Sequence, residues 1–157
     1  MKDGMLWLEN QSEEKQLMRL MEMNRRTGQF GLTLTEEEAG MLMERRGEAL
    51  KKERRVEFGE GILPKLLFHF CDSAYIEQET YAETIARLQE IFYLYKNETL
   101  DKVPDDELLQ FMREQFEEVC CGDLDYLESD SLDKIVQITR KGKCSGRGIR
   151  EEEQDEW

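Results

Sequence analysis

Histidine is nearly absent from this chain of 157 residues, with His69 as its one example. Proline occurs only at Pro64 and Pro104. A single histidine excludes the symmetric di-iron bundle, which draws a Glu-x-x-His pair from each of two helices. No phosphate-binding glycine loop, dinucleotide fingerprint or G-x-S-x-G nucleophile elbow occurs either. Long apolar runs are missing as well. The N-terminal stretch Met5–Leu8 offers four apolar residues, against about 7–15 in a secretory signal and about 20 in a spanning helix. The expectation is a soluble cytoplasmic protein with no membrane partner. Cys71, Cys120, Cys121 and Cys144 show neither disulfide-scaffold spacing nor a C-x-x-C pair, which fits reduced thiols in that compartment.

What the chain has in abundance is negative charge. Its formal net charge is −14, with 37% charged against 39% hydrophobic residues. Such a field repels nucleic acid and anionic membranes and would attract a basic partner. The plainer reading is an acidic, well-solvated surface.

The rarity of proline and the wealth of Leu, Glu, Arg, Lys and Met favour helices. A first helix is expected after Ser12, with Leu17, Leu20, Met21 and Asn24 on one face and Gly28 as its stop. Thr35 and Glu38 have capping-box spacing, so a second helix should start there. Its inner face would run through Ala39, Leu42, Met43, Arg46, Ala49 and Leu50. A third helix over about 62–72 tolerates Pro64 in its first turn. The fourth, over about 78–97, carries Tyr81, Ile85, Leu88, Phe92 and Tyr95 in steps of 4, 3, 4 and 3, a continuous apolar stripe. A fifth begins at Pro104, presents Leu109, Met112, Phe116 and Val119, and ends at Gly122. A short turn over 123–127 and a last helix bearing Leu132, Ile135, Val136 and Thr139 complete the pattern.

Two short stretches break the helical period. Phe30, Leu32 and Leu34 alternate with smaller residues, and Val56 and Phe58 flank Glu57. They are expected to pair as a two-stranded antiparallel ribbon, about 30–34 with 55–58; the alternative is two irregular connectors. The whole reads as a mostly α, single-domain bundle of five or six helices over 12–141. Before it lies a partly ordered segment over 1–11, and after it a disordered acidic tail over 142–157.

Candidate chemistry is sparse. His69 and Cys71 are two apart, about 200° around a helix, and cannot share a metal. Asp72 or Ser73 suits a local turn better than a triad, whose members come from separate elements. Cys120 and Cys121 diverge by about 100° on a helix, which suits buried thiols better than zinc ligands. No cofactor and no metal are expected. The carboxylate runs Glu36–Glu38 and Asp105–Glu107 suit helix starts, where the dipole favours them.

One basic island stands in the acidic chain: Arg45, Arg46, Lys51, Lys52, Arg54 and Arg55. It suits contact with an acidic partner, an anion or the chain's own acidic tail; a solvated helix end is the plainer alternative.

The phrases "FGLTLTEEEA", "RVEFGEGIL", "LLFHFCDSAYI", "LQEIFYLYKNE" and "PDDELLQFM" occur in this order over about 12–140. Together they resemble an uncharacterised family of small proteins from clostridial and related anaerobic Firmicutes. The resemblance implies a bacterial, intracellular, single-domain protein and brings no activity, cofactor or catalytic residue. Function is therefore read as a non-catalytic protein–protein interaction or regulatory module, with homo-oligomerisation open. The alternative is an enzyme or small-ligand-binding domain with a carboxylate- and Arg-lined helical cleft. A weaker third reading is an acidic mimic of nucleic acid.

Overall fold

The computed structural model describes residues 13–59 and 61–141. The expected segment over 1–11, the cap at Ser12, Cys144 and the tail lie outside the described residues. The chain divides between Tyr93 and Leu94 into two compact units.

In the first unit, α1 covers residues 13–22. A turn at Met23 precedes α2 (Asn24–Thr27) and a 3-10 turn (Gly28–Phe30). Helix α3 (Glu36–Glu53) follows, then α4 (Leu63–Phe70), a 3-10 turn (Gln78–Thr80) and α5 (Tyr81–Glu98), which runs on past the division. The capping box forms as expected: Thr35 Oγ1 accepts from Glu38 N–H at 3.1 Å, and Glu38 Oε1 accepts from Thr35 N–H at 2.9 Å. Leu20, Leu42, Leu63, Leu66, Leu67, Phe70, Ile85 and Leu88 are fully buried. Each contributes about 1.5–3 kcal/mol through lost apolar exposure. The stripe on α5 is wider than expected: Ala82, Ala86, Gln89 and Tyr93 are also buried, so the helix hides most of its circumference.

The ribbon is the main correction, since no strand occurs among the described residues. Side-chain amides occupy the backbone groups that a partner strand would have bonded. Asn24 Nδ2 donates to Leu34 O at 3.0 Å and its Oδ1 accepts Leu34 N–H at 2.8 Å. Gln78 does the same for Thr33, at 2.9 and 2.8 Å. Leu32 and Leu34 are thus buried on an extended segment that needs no ladder. On the other stretch, Glu57 is drawn inward by Arg46, which leaves Val56 and Phe58 outside.

In the second unit, the last turn of α5 leads through Leu100 and Asp101, both at positive φ, to α6 (Asp105–Glu114), capped by Pro104. A π-helical turn (Gln115–Val119) follows, then α7 (Leu124–Glu128) and α8 (Asp130–Lys141). Taking α1 with α2 and α7 with α8, the fold is a bundle of six helices. Lys96 Nζ donates to Val103 O and pairs with Asp105, both at 2.8 Å. Tyr95 OH donates to Leu127 O at 2.5 Å. The π turn corrects the face of the fifth helix: Cys120 N–H bonds back to Gln115 O, so one extra residue enters the turn. Val119, expected inside, is 40% exposed, and Cys120 is buried in its place. No described helix is long and apolar enough to cross a membrane.

Candidate functional site

Glu57 gathers several partners in the first unit. Its Oε1 accepts from Arg46 Nε at 2.6 Å and from Tyr93 OH at 2.5 Å, and its Oε2 accepts Ile62 N–H at 3.1 Å. Arg46 Nη2 donates to the Glu57 carbonyl at 3.3 Å, and Nη1 reaches Gln16 Oε1 at 3.5 Å. Arg46 is only 7% exposed. A buried ion pair of this kind is tolerated because every charged atom has a partner. Gly61 completes the cluster, with φ +62 and a Cα so close that a Cβ there would lie 2.0 Å from Glu57 Oε1. Glycine is required both for the left-handed backbone and for the space.

Beside this cluster opens a groove of about 920 Å³ between α1 and α3. Its floor is Leu17, Met43 and Leu50 together with Gly40 and Gly47. Positions 40, 43, 47 and 50 fall on one face of α3, and a Cβ at either glycine would meet nothing within 4 Å. Its rim carries Glu13, Glu14 and Glu44, all exposed. None of these three carboxylates makes an ion pair among the described residues. Glu57, Arg46 and Gln16 close one end.

The residues of the basic island lie in different environments. Arg45 leaves it for α5, with Nη2 at 2.8 Å from Glu90 and Nη1 at 3.2 Å from Glu83. Arg46 is consumed by Glu57. Arg55 is half-buried and has its own partner. Lys51, Lys52 and Arg54 are exposed, and their side chains make no ion pair among the described residues. Arg46 already interrupted an apolar stripe in the sequence, and a buried guanidinium needs a carboxylate. That signal could have pointed to Glu57; nothing pointed to Tyr93.

The lone histidine lies in the last turn of α4. His69 is half-buried and meets Phe68 edge-on at 5.6 Å. Arg26 lies over the Phe68 ring at 4.2 Å. Ser73 Oγ accepts Tyr75 N–H at 3.2 Å, a local turn of the expected kind. Cys71 is buried; burial and then Asp72 push its thiol above the ordinary value. In the second unit Cys120 is buried, 3.5 Å from Ser131 Oγ, and burial raises its thiol too. Cys121, expected to be buried with it, is exposed in a left-handed turn at φ 49.

No curated protein and no solved structure matches the chain. A family model does, over residues 19–145, and its description is a family of unknown function, DUF6323. That span takes in the helices described above from within α1 to the end of α8. The chain therefore belongs to the DUF6323 family.

Proposed function

We propose that this protein is a non-catalytic interaction module of a clostridial or related bacterial cytoplasm, whose α1–α3 groove takes an apolar, basic helix of a partner protein. The observation that carries the reading is the rim of three carboxylates, Glu13, Glu14 and Glu44, without ion pairs among the described residues, above an apolar floor opened by two glycines. A helix laid in such a groove would bury an i, i+3, i+4, i+7 stripe and bring lysine or arginine to the rim. Gly40 and Gly47 let its backbone approach closely. The net charge of −14 steers a basic partner toward the chain.

The rival reading is an enzyme or small-ligand-binding domain with a carboxylate- and Arg-lined helical cleft. The arginine in this cleft is already engaged: Nε, Nη1 and Nη2 of Arg46 each donate to Glu57 or Gln16, which favours the interaction reading.

The test places a benzophenone photocrosslinking amino acid at position 47 of the full chain in its own host. The expected product is a covalent adduct to one protein segment with apolar residues at helical spacing and a basic opposite flank. It should vanish in the Glu14→Lys/Glu44→Lys variant. An adduct to an acidic segment, or one indifferent to the charge reversal, rejects the reading.

A further inference from the structure

We propose that the partner helix runs antiparallel to α3 and, on the flank it turns to α3, carries an acidic residue seven positions before a basic one. This rests on the groove reading above and fixes the polarity of its occupant. The groove adjoins a smaller hollow of about 510 Å³, which shares Glu44 and Gly47 with it and adds Glu48, Lys51 and Lys52. Gly40, Glu44, Gly47 and Lys51 follow at i, i+4, i+7 and i+11. At about 100° per residue they fall within about 60° around the helix, so they form one straight seam along the groove. Glu48 and Lys52, four apart, make a second row farther out. In both rows the carboxylate comes first and the ammonium follows toward the C-terminus of α3. All four charged side chains are exposed, and none makes an ion pair among the described residues. Glu48 and Lys52 are included, although their spacing allows a pair.

Such a seam selects an order of charges. Glu44 and Lys51 stand two turns apart, roughly 10 Å along the axis. A helix laid over Gly40 and Gly47 presents its own residues seven apart at the same spacing. A lysine or arginine opposite Glu44 therefore brings the residue seven positions away to Lys51. A uniformly basic helix would set like charges together there, and a carboxylate would be attracted. Direction follows from the helix dipoles. An acid is favoured at the N-terminal end of its own helix and a base at the C-terminal end. The acid belongs at Lys51, so the partner begins there and runs back toward Glu44. Its positive end then meets the negative end of α3. On the α1 side, Glu13 and Glu14 keep the other flank basic. A second copy of α3 has the required order on one flank but fits less well. Its other flank offers Arg46, already engaged with Glu57, and two chains of net charge −14 repel.

A display library of helical peptides, with leucines fixed at helical spacing and both flanks randomised among Lys, Glu and Gln, tests the assignment on the full chain. Survivors should carry Lys along one flank and, on the other, Glu seven positions before Lys. Each should bind about tenfold tighter than its isomer with that Glu and Lys exchanged. The Glu44→Lys/Lys51→Glu chain, which keeps the net charge, should reverse this preference. Both substituted side chains are exposed, and an unchanged thermal midpoint confirms that the variant folds. The milder Lys51→Gln/Lys52→Gln chain should bind the two isomers about equally. Survivors basic on both flanks that bind this chain as well as the parent overturn the proposal and leave the groove reading standing. Survivors with Glu seven positions after Lys overturn the direction. No survivors, or survivors indifferent to Glu14→Lys/Glu44→Lys, overturn the groove reading and the proposal together. Self-association of the parent chain that Lys51→Glu abolishes gives the seam to a second copy and also overturns the proposal.

Discussion

The side chain of Asn24 bonds both backbone groups of Leu34, donating to the carbonyl at 3.0 Å and accepting the N–H at 2.8 Å. A side-chain amide here does the work of a neighbouring strand, and only an amide offers a donor and an acceptor at that spacing. Asn24→Asp removes the donor and sets a carboxylate against a carbonyl oxygen. We expect a loss of about 1–3 kcal/mol in urea denaturation, at least as large as for Asn24→Leu, which presents no charge. Equal stability of Asn24→Asp and the parent chain would show that the amide pairing contributes nothing.

Gly61 and Glu57 make a second dependence. Alanine at 61 meets a left-handed φ, which costs about 1–2 kcal/mol, and a Cβ 2.0 Å from Glu57 Oε1. The carboxylate has nowhere to move without releasing Arg46 and Tyr93. Gly61→Ala should therefore cost more than the backbone term alone, roughly as much as breaking a buried ion pair, about 3–5 kcal/mol. Gly59, also at φ +62 but with nothing near its Cβ, is the control and should show the backbone term only.

These two relationships mark where the sequence was legible and where it was not. Helix starts and stops were readable because they depend on local chemistry: Thr35 with Glu38, Pro64 in a first turn, Gly122 at a stop. The stripes on α4 and α5 were readable because burial repeats with the helical period. The expected strands failed because alternation reports an extended backbone and says nothing of what satisfies it. Asn24 and Gln78 lie 10 and 45 residues from the groups they bond, beyond any local pattern. Val119 was misplaced because a π turn leaves no periodic trace before it occurs. Of the candidate site, Arg46 was in view as a charge within an apolar stripe. The groove was not, because it depends on how α1 and α3 pack and on two glycines that look like ordinary helix weaknesses.

Three of the five tyrosines are buried: Tyr81, Tyr93 and Tyr95. Burial, the largest cause in each case, raises all three phenols, that of Tyr81 to about 12 from 10.0. A raised folded value means that the native state holds the proton more tightly than the unfolded chain. The associated stability is complete below pH 10 and is lost as pH rises through the folded value. For Tyr81 alone the loss between pH 10 and 12 is about 2–3 kcal/mol. Ultraviolet titration should show these three phenols ionising together with the loss of helical circular dichroism. Ionisation of all five while the helices persist would contradict the burial.

Phe92 and Glu90 test the faces of α5. Phe92 is 3% exposed, and Phe92→Ala should cost about 3–5 kcal/mol through lost transfer energy and an unfilled cavity. Glu90 is expected from the stripe to be a free surface residue, yet it receives Arg45 at 2.8 Å with its side chain 36% exposed. An ion pair so open to water is worth about 0–1 kcal/mol, so Glu90→Ala should cost no more than that. A larger loss for Glu90→Ala than for Phe92→Ala would mean that the Arg45 network, and not the apolar stripe, anchors this helix.

Gly40 and Gly47 separate stability from binding. Both lie inside α3, where glycine costs about 0.5–1 kcal/mol relative to alanine, and neither has an atom within 4 Å of an added Cβ. Gly47→Ala should therefore raise stability by about 0.5–1 kcal/mol, visible as an increased urea midpoint. Gly47→Leu should fold as well, because the added side chain enters the groove and displaces nothing. The same leucine would fill the space that a partner helix needs, so the crosslink from a benzophenone moved to position 43 should disappear while the midpoint holds. Recovery of full crosslinking in Gly47→Leu would show that nothing docks over the two glycines. A fall in the midpoint for Gly47→Ala would show that the space above position 47 is already occupied in the free protein.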